Sequence, residues 1–158
     1  MRQWSAALLP LGLLAAACAP DDTRALQASE GEKPAMTNPV FHFEIPVTDM
    51  DRAVAFYEDV FGYALTRETV DGYDMAFFPR AADRPGASGA LAKGDVYRPS
   101  HNGPVIYFDV ADIDAVIARA TGRGARVLYP KKDIGEAGFV AEIEDSEGNR
   151  IALSQVKP

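Results

Sequence analysis

The feature that most constrains this chain is an internal repeat. Advancing 63 positions carries Asp49 onto Asp112, Asp51 onto Asp114, Met50 onto Ile113 and Val54 onto Ile117. The same shift carries Phe43, Ile45 and Val47 onto Ile106, Phe108 and Val110. The first copy opens with Phe41, Phe43 and Ile45 alternating with His42 and Glu44, the period of a strand. Asp49 follows as a helix N-cap. In DMDRAVAFYEDVFG the apolar residues recur at three and four, and Gly62 closes the helix. Strand-like runs follow at 63–69, 72–79 and 87–93, with turns at Asp71-Gly72 and Pro85-Gly86. The second copy has a strand at 105–110, an N-cap at Asp112, a helix to about Thr121 and strands at 126–129, 139–144 and 150–155. Each copy is strand, helix and three strands. One such unit is too small to bury its sheet well, and two in one chain can pair. The pattern predicts an α+β fold of two tandem βαβββ modules, 40–97 and 104–158, with helices on one side of mostly antiparallel sheets. The other sheet faces are expected to line a shared cleft.

Three strings carry a more specific likeness: FHFEIPVTDMDRAVAFYEDVFGYAL, GPVIYFDVADIDAVIARATGRGARV and EIEDSEGNRIAL. Together they resemble the glyoxalase/bleomycin-resistance/extradiol-dioxygenase superfamily, also called vicinal oxygen chelate proteins. The resemblance covers residues 40–156 and implies that fold. In metal-dependent members four strands each aim one His, Glu or Gln at a divalent ion that holds two neighbouring substrate oxygens. Transferred residue by residue, those positions are His42, Val105, Ala90 and Ala152. Only His42 is a ligand, whereas a stable site needs about three from the protein. No resident cofactor is therefore expected, and a divalent metal would need an unconventional ligand set.

Residues alternating with the helix-facing positions point into the expected cleft. They make His42, Glu44, Tyr107, Asp109, Glu142 and Ser154 the candidate ligand-binding residues, with Glu144 nearby. Phe41, Phe43, Ile45, Ile106, Phe108 and Val110 are expected to face the helices. His42 with Glu44 or Glu142 could form an acid–base pair or an alternative metal cluster. The plainer reading is a vestigial ligand hydrogen-bonded to a carboxylate. Tyr63, Tyr73, Phe77 and Phe78 are cleft wall or core. The tract 130–138, with Gly135 and Gly138, has the composition of a lid.

The start of the chain reads differently. Arg2 precedes the apolar run AALLPLGLLAAA, which is shorter than the about 20 residues of a spanning helix. A charged start, a short apolar core and small residues mark an export signal over 1–18. Leu14-Ala15-Ala16-Ala17-Cys18 resembles a bacterial lipobox, departing from it in having Ala15 where Leu is usual. The resemblance implies lipidation of Cys18 and a membrane tether, on the periplasmic side of the cell envelope. Ala19 in place of Asp favours the outer membrane under the enteric sorting rule. Residues 19–39 form a polar, Pro-containing tether. Cys18 is the only cysteine, which excludes an intrachain disulfide framework. The net charge of −7 argues against nucleic acid as a partner.

Two functions remain open from the residues. One is an exported, lipid-anchored domain that binds a small organic molecule. The other is a glyoxalase-like lyase or isomerase acting on an oxygenated small molecule through His42 and cleft carboxylates. Pairing of the modules within one chain or in a homodimer is likewise open.

Overall fold

A computed structural model describes residues 39–80 and 86–157. Cys18 and the stretches expected to be an export signal and a tether lie, up to Asn38, outside the described residues. Module one runs β1 (His42–Pro46), α1 (Met50–Phe61), β2 (Thr66–Val70), β3 (Tyr73–Phe77) and β4 (Ser88–Lys93). Module two runs β5 (Ile106–Asp109), α2 (Ile113–Gly122), β6 (Val127–Asp133), β7 (Phe139–Glu144) and β8 (Arg150–Gln155). The sheets have orders β1-β4-β3-β2 and β5-β8-β7-β6. In each, the first strand runs parallel to the last and the remaining pairs are antiparallel. The tandem α+β architecture is thus the one the repeat predicts.

Local chemistry sets the helix ends. The Asp49 carboxylate accepts from Arg52 N at 3.1 Å, and Gly62 adopts φ 76° to close α1. At the matching position in module two, Asp112 accepts from Asp114 N and Ala115 N. Both N-caps satisfy amide groups that have no partner inside their helix.

One apolar core serves both modules. It joins Met50, Phe56, Tyr57 and Val60 of α1 to Leu91 of β4 and to Phe108, Ile113, Ile143, Ile151 and Leu153 of module two. Phe108 is its meeting point. Its ring lies 4.9 Å from Phe61, 5.6 Å from Phe78 and 5.9 Å from Tyr57, centroid to centroid. Gly89 permits this arrangement, because Phe43 crosses over it toward Phe78, and a Cβ at Gly89 would stand 2.3 Å from the Phe43 ring. Phe41 departs from the expectation that it faces the helices. It precedes the first ladder residue of β1 and is 78% exposed.

A polar clasp holds the modules across this core. The turn between β7 and β8 carries Asp145, which is 3% exposed. One carboxylate oxygen accepts from Glu147 N and Asn149 N, and the other from the Asn149 amide and the Tyr57 hydroxyl at 2.9 Å. Burial pushes the Asp145 carboxyl up against the pull of these donors, and pushes the Tyr57 phenol well above its usual range. Glu147 reaches the start of α1. It accepts from Thr48 N at 2.9 Å, Thr48 Oγ1 at 2.8 Å, Asp49 N at 3.0 Å and Arg52 Nε at 2.7 Å. Burial raises its pKa, but Arg52 and the Thr48 and Asp49 donors outweigh this and hold it at about 2. Asn149 completes the clasp by donating to Pro46 O and accepting from Ser100 N.

The lid-like tract is partly strand. Its residues to Asp133 belong to β6, where Lys132 pairs with Val140 and Asp133 with Phe139. Pro130 falls at a register shift between Tyr129 and Lys132, where its missing N–H interrupts no ladder bond.

Two outcomes follow for stability. Asp145→Ala strands buried donors and should cost about 3 kcal/mol in urea denaturation, against about 1 kcal/mol for Tyr57→Phe. Glu147 has a depressed pKa, so its contribution is complete above its ordinary value of 4.5 and fades as pH falls toward about 2. The gap in denaturation midpoint between wild type and Glu147→Gln should therefore be widest near neutral pH and close across that acid window.

Candidate functional site

Sheet alternation divides the aromatic residues whose roles were open. Tyr63 and Phe78 pack into the core between the modules. Tyr73 and Phe77 lie on the opposite face of their sheet, in a second cluster with Met75, Ala90, Ala92 and Tyr97. His42 and Glu44 share that face. In the parallel register of β1 and β4, His42 stands beside Ser88 and Glu44 beside Ala90, and Ala90 in turn pairs with Phe77.

This face is a connected polar line set against aromatic side chains. His42 Nδ1 lies 2.7 Å from Ser88 Oγ. Ser88 Oγ donates to Phe41 O at 3.1 Å, so its lone pair is the partner for a proton on Nδ1. That tautomer leaves the Nε2 lone pair free. Nε2 is 4.0 Å from a Glu44 oxygen, beyond the 2.6–3.2 Å reach of direct proton transfer. The other Glu44 oxygen accepts from the Tyr97 hydroxyl at 2.7 Å, a bond that pushes the Tyr97 phenol up to about 12. The His42 and Phe77 rings lie 6.2 Å apart, and Tyr97 meets Tyr73 edge-on at 5.4 Å.

The remaining candidates do not gather here. Glu142 is held in a two-point bond to Arg150, with both contacts at 2.8 Å. Glu144 pairs with Arg126 and with Nε2 of His101 in the linker, and these bonds lower its pKa despite some burial. Asp109 borders a different recess with Tyr63 and Arg119. Burial, and then the Asp109 charge, raise the Tyr63 phenol. Tyr107 is 56% exposed beside Ala152, and Ser154 pairs with Asp109 and Val140. Among the described residues no hydrogen bond or ion pair joins His42 to Glu142, Tyr107, Asp109 or Ser154. Among the described residues the bonds between modules come instead from the 145–149 clasp, the linker, Arg119, which donates to Val60 O, and the Arg123–Asp59 ion pair. A groove of ≈ 310 Å³ does run between them, bordered by Glu44, Pro46, Arg98, Ile106, Arg150 and Ile151.

Tyr97, Ser88 and Arg150 were not singled out from the sequence. Tyr97 sits in the aperiodic stretch after β4, at the end of module one. Ser88 gains its place only from the parallel register with β1.

Comparison with known proteins fits this architecture. The model of the Glyoxalase/Bleomycin resistance protein/Dioxygenase superfamily matches residues 40–153. The chain belongs to this superfamily. It is 30% identical over 114 residues to CFP32 of Mycobacterium bovis, which carries a provisional glyoxylase name, covering 71% of this chain and 43% of that one. The chain therefore spans less than half of that relative. It is 31% identical over 114 residues to a glyoxylase-like domain-containing protein of Didymella fabae, covering 70% of this chain and 88% of that one. Among solved structures it is similar to TnmS3, an antibiotic binding protein from Streptomyces sp. CB03234. The identity is 27% and the TM-score 0.57, covering 78% of this chain and 98% of that chain.

The superfamily's metal does not fit these residues. Around His42 stand the Ser88 hydroxyl and the Ala90 methyl, while Tyr107 and the fully buried Ala152 pair in module two. Among the described residues no group of three His, Cys, Asp or Glu is placed to hold an ion. After incubation with excess zinc and desalting, the protein should retain below about 0.2 equivalents by elemental analysis, with His42→Ala no different.

Proposed function

We propose that this superfamily domain binds a small organic molecule on the face that carries His42, and that it does so without a resident metal. The observation that carries the reading is the makeup of that face. Its ligand-type residue is a single imidazole beside Phe77, and the same sheet face carries Tyr73, Tyr97 and Met75 with the small residues Ala90 and Ala92. Such a surface offers flat apolar contact and a few placed polar atoms, the composition of an organic-ligand site. The likeness to an antibiotic binding protein supports it.

A panel of planar aromatic compounds, titrated against the desalted protein by fluorescence or calorimetry, tests this. Binding in the micromolar range is expected, weakened at least about tenfold by Phe77→Ala and Tyr97→Ala together. Binding that ignores both substitutions would refute this placement.

The lyase or isomerase reading keeps one observation in its favour. Ser88 orients His42 so that Nε2 offers a lone pair next to Glu44. Turnover of an oxygenated substrate that is lost in both His42→Ala and Glu44→Gln would establish it.

The export signal and lipobox-like string extend the proposal to an envelope protein anchored through Cys18 on the periplasmic side, with the outer membrane favoured. Metabolic labelling with radioactive palmitate should mark the wild-type protein and leave Cys18→Ser unlabelled.

A further inference from the structure

We infer that the face carrying His42 selects ligands bearing a positive charge on or beside an aromatic ring. This rests on the binding reading above and names the ligand class. The starting point is an inequality among carboxylates. Glu142, Glu144 and Glu147 each meet an arginine: Arg150, Arg126 and Arg52. Among the described residues Glu44 meets none. Its ion-pair partner there is His42 at 4.0 Å, and its other oxygen is held by an uncharged donor, the Tyr97 hydroxyl. Its side chain is 38% exposed. Arg98 borders the same groove as Glu44, but its Nη1 donates to the Tyr97 carbonyl and among the described residues it forms no ion pair within 4.0 Å.

Glu44 thus keeps its negative charge beside an aromatic surface. Phe77 is reached from it across Ala90 alone, and Tyr97 bridges from Glu44 to Tyr73. Ring faces attract cations through their quadrupole, and a neighbouring carboxylate adds a direct Coulomb term. The Tyr97 hydroxyl donates to Glu44, which fixes the carboxylate without neutralising it. An anionic ligand would meet this carboxylate unpaired, so the same geometry selects against it.

A matched pair of probes separates charge from shape: 10-methylacridinium, a permanent cation, and acridine, neutral at pH 7.5. Titrated by fluorescence against the full chain, the cation should bind at least about tenfold more tightly. The ratio should shrink as salt rises, because the site is partly exposed. Glu44→Gln should bring the two affinities within about threefold by weakening the cation alone, and Tyr97→Phe should keep the preference. The wild-type ratio decides the matter even if a variant folds poorly. Equal affinities in wild type overturn the cation preference and leave the binding reading standing. Failure of both probes and of the planar panel overturns both.

Discussion

The structure depends on a five-residue turn from one module that closes over the helix of the other. Asp145 gathers two amides of its own turn, the Asn149 side chain and the buried Tyr57 hydroxyl onto one carboxylate. Glu147 supplies the start of α1 with an acceptor from nearly a hundred residues away. A buried carboxylate is tolerated only where its lone pairs are filled, and filling them requires both modules to be in place. The clasp therefore couples the apolar core, where Phe108 enters the aromatic cluster of module one, to a defined orientation of the two halves. An apolar core alone allows more sliding than this polar register does.

The consequence for the site is a division of labour between sheet faces. One face of each sheet is spent on the shared core. The other face of module one is left with the aromatic residues, the imidazole and a carboxylate that meets no arginine among the described residues. The corresponding face of module two is occupied by pairs that neutralise one another, as Glu142 does with Arg150. The repeat makes the two backbones alike, but their free faces differ in chemistry: at matching positions module one has Glu44 and module two has Tyr107. The superfamily's fold is retained, while at three of the four positions where the resemblance places metal ligands this chain has Val105, Ala90 and Ala152. That combination directs attention to apolar and electrostatic recognition.

Much of the architecture was legible because its signals are local. Asp49 and Asp112 are N-caps whose chemistry acts within three residues, and β7 and β8 have the boundaries their alternation indicates. Misreadings arose where local signals end. Phe41 has the right alternation but lies before the ladder begins. Glycines in the 130–138 tract suggest a loop, yet the β6 ladder runs through its first half past a register shift between Tyr129 and Lys132. Of the candidate site, His42 and Glu44 were legible as neighbours on one strand face. Glu142 and Asp109 were placed with them on the assumption of a shared cleft, and their contacts lie elsewhere.

The sequence by itself determined the repeat, the two modules and the helix caps. Each of these depends on residue type at a fixed spacing. Only the tertiary structure decided which carboxylates are neutralised, that Tyr97 reaches from the end of module one to Glu44, and that the Asp145 turn locks onto Tyr57 and the start of α1. Those are contacts between groups tens of residues apart, and no periodicity along the chain encodes a partner at that range.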